Sequence, residues 1–142
     1  MTTIGELGEK IVAQWLENQG WKILHHRWRC RWGEIDLIAE DEASGMLAFV
    51  EVKTRGRGNW DANGLLAITA TKQAKLIEVA SVFLSQYSDL SDRPCRFDVA
   101  LVCYTKSKDS RESETIPEIG KPCFREGSRL ILHCYLEGAF TQ

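Results

Sequence analysis

Two apolar segments of this chain carry acidic groups where a core strand should be uniformly hydrophobic. Gly33-Glu34-Ile35-Asp36-Leu37-Ile38 is followed, after a polar turn, by Phe49-Val50-Glu51-Val52-Lys53. Burying a carboxylate is costly unless something binds it. Glu34, Asp36, Glu51 and Lys53 stand at alternate positions, so each strand presents its charges on one face. With residues 42–45 as the hairpin loop, Asp36 falls opposite Glu51 and Glu34 opposite Lys53. Side chains directly opposite one another lie within ~5.5 Å at Cβ. Two carboxylates that close repel unless a cation sits between them. The pattern points to a divalent-metal site on a β-hairpin, with metal-assisted phosphodiester chemistry as its leading use.

Magnesium suits such a site because it takes oxygen ligands and keeps several waters. Asp36 and Glu51 would be its ligands, and the carbonyl of Val52 a third. Lys53 projects to the side of Glu51, where it would position a water or neutralise the transition state. Glu34 reads as the partner of Lys53. Against this stands a sheet face open to solvent, on which acid–base pairs are cheap. Leu37, Ile38, Phe49 and Val50 weigh against that reading because they imply a central hairpin. Glu9 borders the apolar stripe of its helix and is a candidate for the edge of the same pocket; a solvated glutamate fits its spacing equally well.

Basic groups flank the acids. Lys22, Arg27, Arg29 and Arg31 precede the first strand, interleaved with Trp21, Trp28 and Trp32. Arg55 and Arg57 follow the second, near Trp60, and Lys72 and Gln73 open a later helix. Such groups hold backbone phosphates and stack on bases, and helix N-termini favour phosphate. Solvated loops and faces are the plain alternative. Trp21 reads as core, whereas Trp28 and Trp32 are less easily explained by burial. His25, His26 and His133 have no metal-ligand spacing with the acids and are read as non-catalytic.

These groups need a scaffold, and 142 residues suffice for one domain with a real core. A net charge of −2 argues mildly against a protein that merely coats nucleic acid. The five cysteines form no Cys-x-x-Cys pair, which makes incidental thiols the better reading than zinc or disulfides. No apolar run approaches the ~20 residues of a membrane span. The N-terminus lacks the regions of a signal peptide, so a cytoplasmic protein is expected.

Periodicity predicts a helix over 4–19, with Thr3 and Glu6 as a capping box and Gly20 as its stop. A short strand over 21–26, strands over 34–39 and 46–53, and a second helix over roughly 69–86 follow. Strands over 96–104 and 129–136 close the chain, separated by a long mobile loop over 105–128. The order is α-β-β-β-α-β-β in a single α/β domain over 1–142, with a mixed central β-sheet flanked by helices.

The paired segments 33–38 and 49–55 resemble the YraN-like family of bacterial proteins, whose own function is uncharacterised. The resemblance extends to Gly8-Glu9, to Ala67-Ile68-Thr69-x-x-Lys72-Gln73 and to Arg96-Phe97-Asp98-Val99. That family in turn is similar to the PD-(D/E)XK nucleases, especially archaeal Holliday-junction resolvases. The resemblance implies a restriction-endonuclease-like core. Asp36 matches its first acidic position, Glu51 its second, Lys53 its lysine and Glu9 the acid on the first helix of resolvases. Ile35 stands where the superfamily name has proline, Arg27 where the family often has asparagine, and Asp61 where it has a glycine. Resolvase-like relatives act as dimers, which leaves room for a homodimer.

The leading expectation is therefore a magnesium- or manganese-dependent endonuclease acting on DNA, branched or flapped DNA included. Its catalytic groups would be Glu9, Asp36, Glu51 and Lys53, and its nucleic-acid contacts Arg29, Arg31, Arg55, Arg57, Lys72 and Gln73. The main alternative is a nucleic-acid-binding protein that keeps the fold with little catalysis. A protein-interaction module with a structural acidic pocket is the third.

Overall fold

A computed structural model of the chain describes residues 2–56, 68–107 and 115–140. Helix α1 (Ile4–Asn18) begins where Thr3 Oγ1 accepts the backbone N–H of Glu6 at 3.1 Å. The chain turns out of it at Gly20, whose φ of +95° suits glycine. Strands β1 (Trp21–Cys30), β2 (Gly33–Asp41) and β3 (Leu47–Gly56) follow as an antiparallel meander. Helix α2 (Ala70–Gln86) starts at Thr69, whose Oγ1 accepts the Lys72 N–H at 3.2 Å. A single 3₁₀ turn at Ser88–Leu90 leads into β4 (Cys95–Lys106), which lies parallel to β3. Strands β5 (Pro122–Arg125) and β6 (Ser128–Phe140) complete a six-stranded mixed sheet in the order β1-β2-β3-β4-β6-β5.

The molecule is a single α/β domain in which one helix covers each face of this sheet. Leu7, Ile11, Val12 and Leu16 of α1 pack on Leu37, Ala39, Ala48 and Val50. Leu76, Val79, Ala80 and Phe83 of α2 pack on Ile35, Ile38, Leu47 and Phe49. Leu47 and Phe49 thus face α2, while Ala48 and Val50 face α1, as strand alternation requires. The arrangement is consistent with a nuclease-like core.

Two elements differ from the sequence expectation. The first strand runs on to Cys30 rather than ending near residue 26. Its pairing with β2 shifts register between Ile23 and His25, and Arg27 takes a left-handed φ of +50°. Both irregularities erase the two-residue period that marks a strand. The expected loop over 105–128 is also too long: β4 continues to Lys106, and β5 adds a strand that makes the order α-β-β-β-α-β-β-β. Its turn into β6 has positive φ at both central residues, Glu126 (+47°) and Gly127 (+77°). Tight hairpins need that conformation, and Asn-Gly is its usual signal. Glutamate in the first position concealed it.

Candidate active site

The alternation of β2 breaks at Asp36. Ile35 and Ile38 both belong to the cluster beneath α2, while Leu37 lies in the cluster beneath α1. The β2–β3 ladder ends at the same place, its last pair being Leu37 and Val50. That register puts Asp36 one step beyond the ladder, across from Glu51. There the side chain substitutes for the strand: Asp36 Oδ2 accepts the backbone N–H of Val52 at 2.8 Å. The strands part at the point where a ligand would enter between two carboxylates.

Glu51 is engaged by two cations. Its Oε1 lies 3.3 Å from Lys53 Nζ on the same strand and 3.1 Å from Lys72 Nζ in the first turn of α2. Lys53 is a buried cation, with a side chain only 10% exposed, whereas that of Lys72 is 40% exposed. A cleft of about 240 Å³ opens over Glu51 and Lys72. Gly33, Glu34, Asp36 and Glu51 line it from the hairpin, and Lys72, Lys75, Leu76 and Val79 from α2.

Burial pushes the Asp36 carboxyl up to about 7, and the neighbouring Glu51 charge adds to the shift against the opposing Val52 N–H. Lys53 is lowered, first by burial and then by its contact with Lys72. Lys72 is raised: burial acts against it, but contacts with Lys53 and Glu51 prevail. Asp36 and Lys53 are therefore both driven toward their neutral forms, as in many functional sites.

This donor set fits a hard divalent cation. Asp36 is a carboxyl raised by burial and by the Glu51 charge, and a cation beside the two would offset both effects. Magnesium needs only one or two protein carboxylates. Among the described residues no group of three His, Cys, Asp or Glu converges as a ready cage, so a bound ion would keep most of its waters.

Other expected site residues have partners of their own. Both oxygens of Glu9 accept from Arg27, Oε1 from Nε at 2.8 Å and Oε2 from Nη2 at 3.0 Å, while its charge also reaches Asp36 and adds to the rise there. Its spacing on the helix is that of an edge residue, and a cation across the edge claims it. Glu34 pairs with Arg29 at 2.8 Å and not with Lys53. Gln73 donates to the Ile68 carbonyl at 3.1 Å and so fastens the entry to α2. Arg55 donates to the Thr54 carbonyl at 3.1 Å. Arg31 lies over the Trp32 ring, 4.8 Å from its centroid. Arg57, Trp60 and Asp61 lie outside the described residues. Trp28 is core, set edge-on against Phe83 at 5.2 Å, and Trp21 packs with the α1 cluster.

Sequence reasoning missed Asp98. It is fully buried and accepts from Arg96 Nε at 3.0 Å, Tyr135 Oη at 2.6 Å and the Gly138 N–H at 2.9 Å. With those contacts it joins β4 to β6 and is structural. An aspartate between Phe97 and Val99 in a hydrophobic run was its signal.

Comparison with known proteins agrees with the motifs. The family described as Uncharacterised protein family UPF0102 matches residues 8–102. A UPF0102 protein of Trichodesmium erythraeum is 47% identical over 157 aligned positions, covering 96% of this chain and 87% of the relative. A Synechocystis relative, UPF0102 protein sll0189, is 46% identical and covers 99% of both chains. An Acaryochloris marina relative is 45% identical over 97% of this chain and 90% of its own. The chain belongs to the UPF0102, or YraN-like, family. Among the described residues no helix is long and apolar enough to cross a membrane.

Proposed function

We propose that this protein is a divalent-metal-dependent endonuclease that hydrolyses phosphodiester bonds in DNA. The observation that carries the reading is the cleft lined by Asp36 and Glu51, with Asp36 buried and raised to about 7 beside Glu51, and Lys53 in contact with Glu51. Asp36 and Glu51 would hold magnesium or manganese, which supplies an activated water and relief of charge at the phosphate oxygens. Lys53 presents its ammonium to the negative charge that develops on the phosphoryl group. Lys72 and Lys75 on the rim attract the backbone. The apolar floor of Leu76 and Val79 limits water, which strengthens each of these interactions.

Cleavage of a panel of labelled DNA and RNA structures, with magnesium or manganese and with chelator, tests the proposal. Metal-dependent products that vanish in Asp36→Ala are expected. Cleavage that persists in that variant overturns the site.

A second reading has its own observation. The acids are already paired within the protein: Glu51 with Lys53 and Lys72, and Glu9 with Arg27. A nucleic-acid-binding module that keeps the fold without catalysis would look the same. DNA binding with no cleavage of any substrate would favour it.

A further inference from the structure

The β1–β2 hairpin ends in a two-residue tip, Arg31-Trp32, closed by the pair Cys30 and Gly33. Trp32 is 44% exposed and belongs to none of the core clusters among the described residues. The other described tryptophans pack into the clusters beneath α1 or α2. Exposing an indole forfeits a large burial energy, and at a hairpin tip a polar residue would serve the turn as well. Gly33, the next residue, lines the candidate cleft together with Glu34, Asp36 and Glu51. Trp32 therefore directly precedes the residue that begins the cleft's hairpin wall.

Its surroundings suit a nucleobase. The Arg31 guanidinium covers the ring at 4.8 Å from the centroid and brings a positive charge to it. Arg29, paired with Glu34, projects from the same hairpin with a side chain 67% exposed, and Lys75 lines the cleft. An aromatic ring flanked by cations is the usual platform for unstacked bases, because every base has a π-face and every nucleotide a phosphate. A base inside an intact duplex cannot reach such a ring; it must be unpaired.

We propose that Trp32 selects DNA carrying an unpaired nucleotide beside the phosphate held in the cleft, by stacking on that base. The inference rests on the nuclease reading for the phosphate's position and adds the substrate feature that directs the protein to it. Arg31 holds the ring in place from one side, and the extruded base takes the open surface. Continuous duplex offers Trp32 nothing to stack on and is held by phosphate contacts alone.

The test is equilibrium binding in chelator, so that nothing is cut. The full-length protein is titrated with a blunt duplex and with the same duplex carrying a single-stranded flap, 2-aminopurine standing at the unpaired position next to the junction. Wild type should prefer the flap by about tenfold or more, the range of one base–aromatic stack, with quenching of 2-aminopurine on binding. Trp32→Ala should bring the preference close to one and abolish the quenching, and Trp32→Phe should restore part of both. Equal affinities of wild type for the two DNAs, or a preference that survives Trp32→Ala, overturns the role of Trp32. In either case metal-dependent cleavage of any DNA by wild type leaves the nuclease reading standing. Failure to bind either DNA at low salt overturns both.

Discussion

Lys53 and Lys72 converge on one oxygen of Glu51, one from the strand and the other from the first turn of α2. The shared carboxylate ties the helix to the sheet at the floor of the cleft. The exposures of the two lysines differ, and under the proposed function the buried Lys53 would face the reacting group and the more exposed Lys72 the arriving DNA.

Lys53→Ala should lower the cleavage rate by roughly a hundredfold or more, as loss of other transition-state donors does, with a modest loss of affinity. Lys72→Ala should do the reverse. Its affinity for duplex should fall with salt less steeply, the log–log slope shallowing by about 0.9 for one lost phosphate contact. Single-turnover rates and salt titrations of both variants decide the assignment; equal losses of rate and affinity in Lys53→Ala would make it a plain phosphate contact.

Asp36 gives stability a pH dependence. Its carboxyl is raised from 3.8 to about 7 in the folded protein, so the fold holds a proton there that the unfolded chain has released. Its contribution is present below the unfolded value and is lost as pH rises toward 7. Asp36→Asn keeps an oxygen for the Val52 N–H and removes the titration. The variant should be more stable than wild type at pH 8, by up to roughly 4 kcal/mol, and the difference should vanish near pH 4. Magnesium should raise the melting temperature of wild type at pH 8 and leave Asp36→Asn unmoved. Thermal melts across pH, with and without the metal, check both statements.

Glu9 is held by two charge-assisted hydrogen bonds from Arg27, and its side chain is only 12% exposed. Glu9→Gln should therefore cost about 1–2 kcal/mol of stability. Its effect on metal affinity should be small, because the carboxylate is committed to Arg27. Calorimetric titration with manganese reads the second quantity, and a tenfold loss of affinity there would return Glu9 to the metal site.

Gly8 brings α1 against β3. A Cβ on Gly8 would lie 2.2 Å from Thr54 Oγ1, whose hydroxyl is buried and has no partner among the described residues. Gly8→Ala should destabilise by about 1–3 kcal/mol. Thr54→Val keeps the shape and removes the unmet hydroxyl, so it should be neutral or slightly stabilising. In a Thr54→Ala background the cost of Gly8→Ala should shrink, a coupling that denaturant titration of the four proteins measures.

The hairpin was legible because its chemistry conflicts with its hydrophobicity: Asp36, Glu51 and Lys53 stand out among Ile, Leu, Phe and Val. The α1 entry was legible through Thr3 and Glu6, and α2 through the apolar period of 69–86, without its Thr69 cap. Long-range partners were not. Neither the Arg27–Glu9 pair nor the choice of Arg29 over Lys53 by Glu34 follows from spacing, since each depends on how β1 lies against its neighbours. The break of alternation at Asp36 is likewise a property of the sheet, arising where β2 and β3 separate.

Strand β1 forms one outer edge of the sheet, and the outward backbone groups of its ten residues are a template on which another chain could polymerise. The left-handed Arg27 and the register shift at Ile23 and His25 interrupt that template in its middle. A second copy laid along it finds no continuous ladder, and it meets the charges of Lys22, Arg27 and Arg29 as well. The residue that claims Glu9 thus also blunts the edge against fibre growth, so its replacement should be watched for turbidity as much as for lost activity.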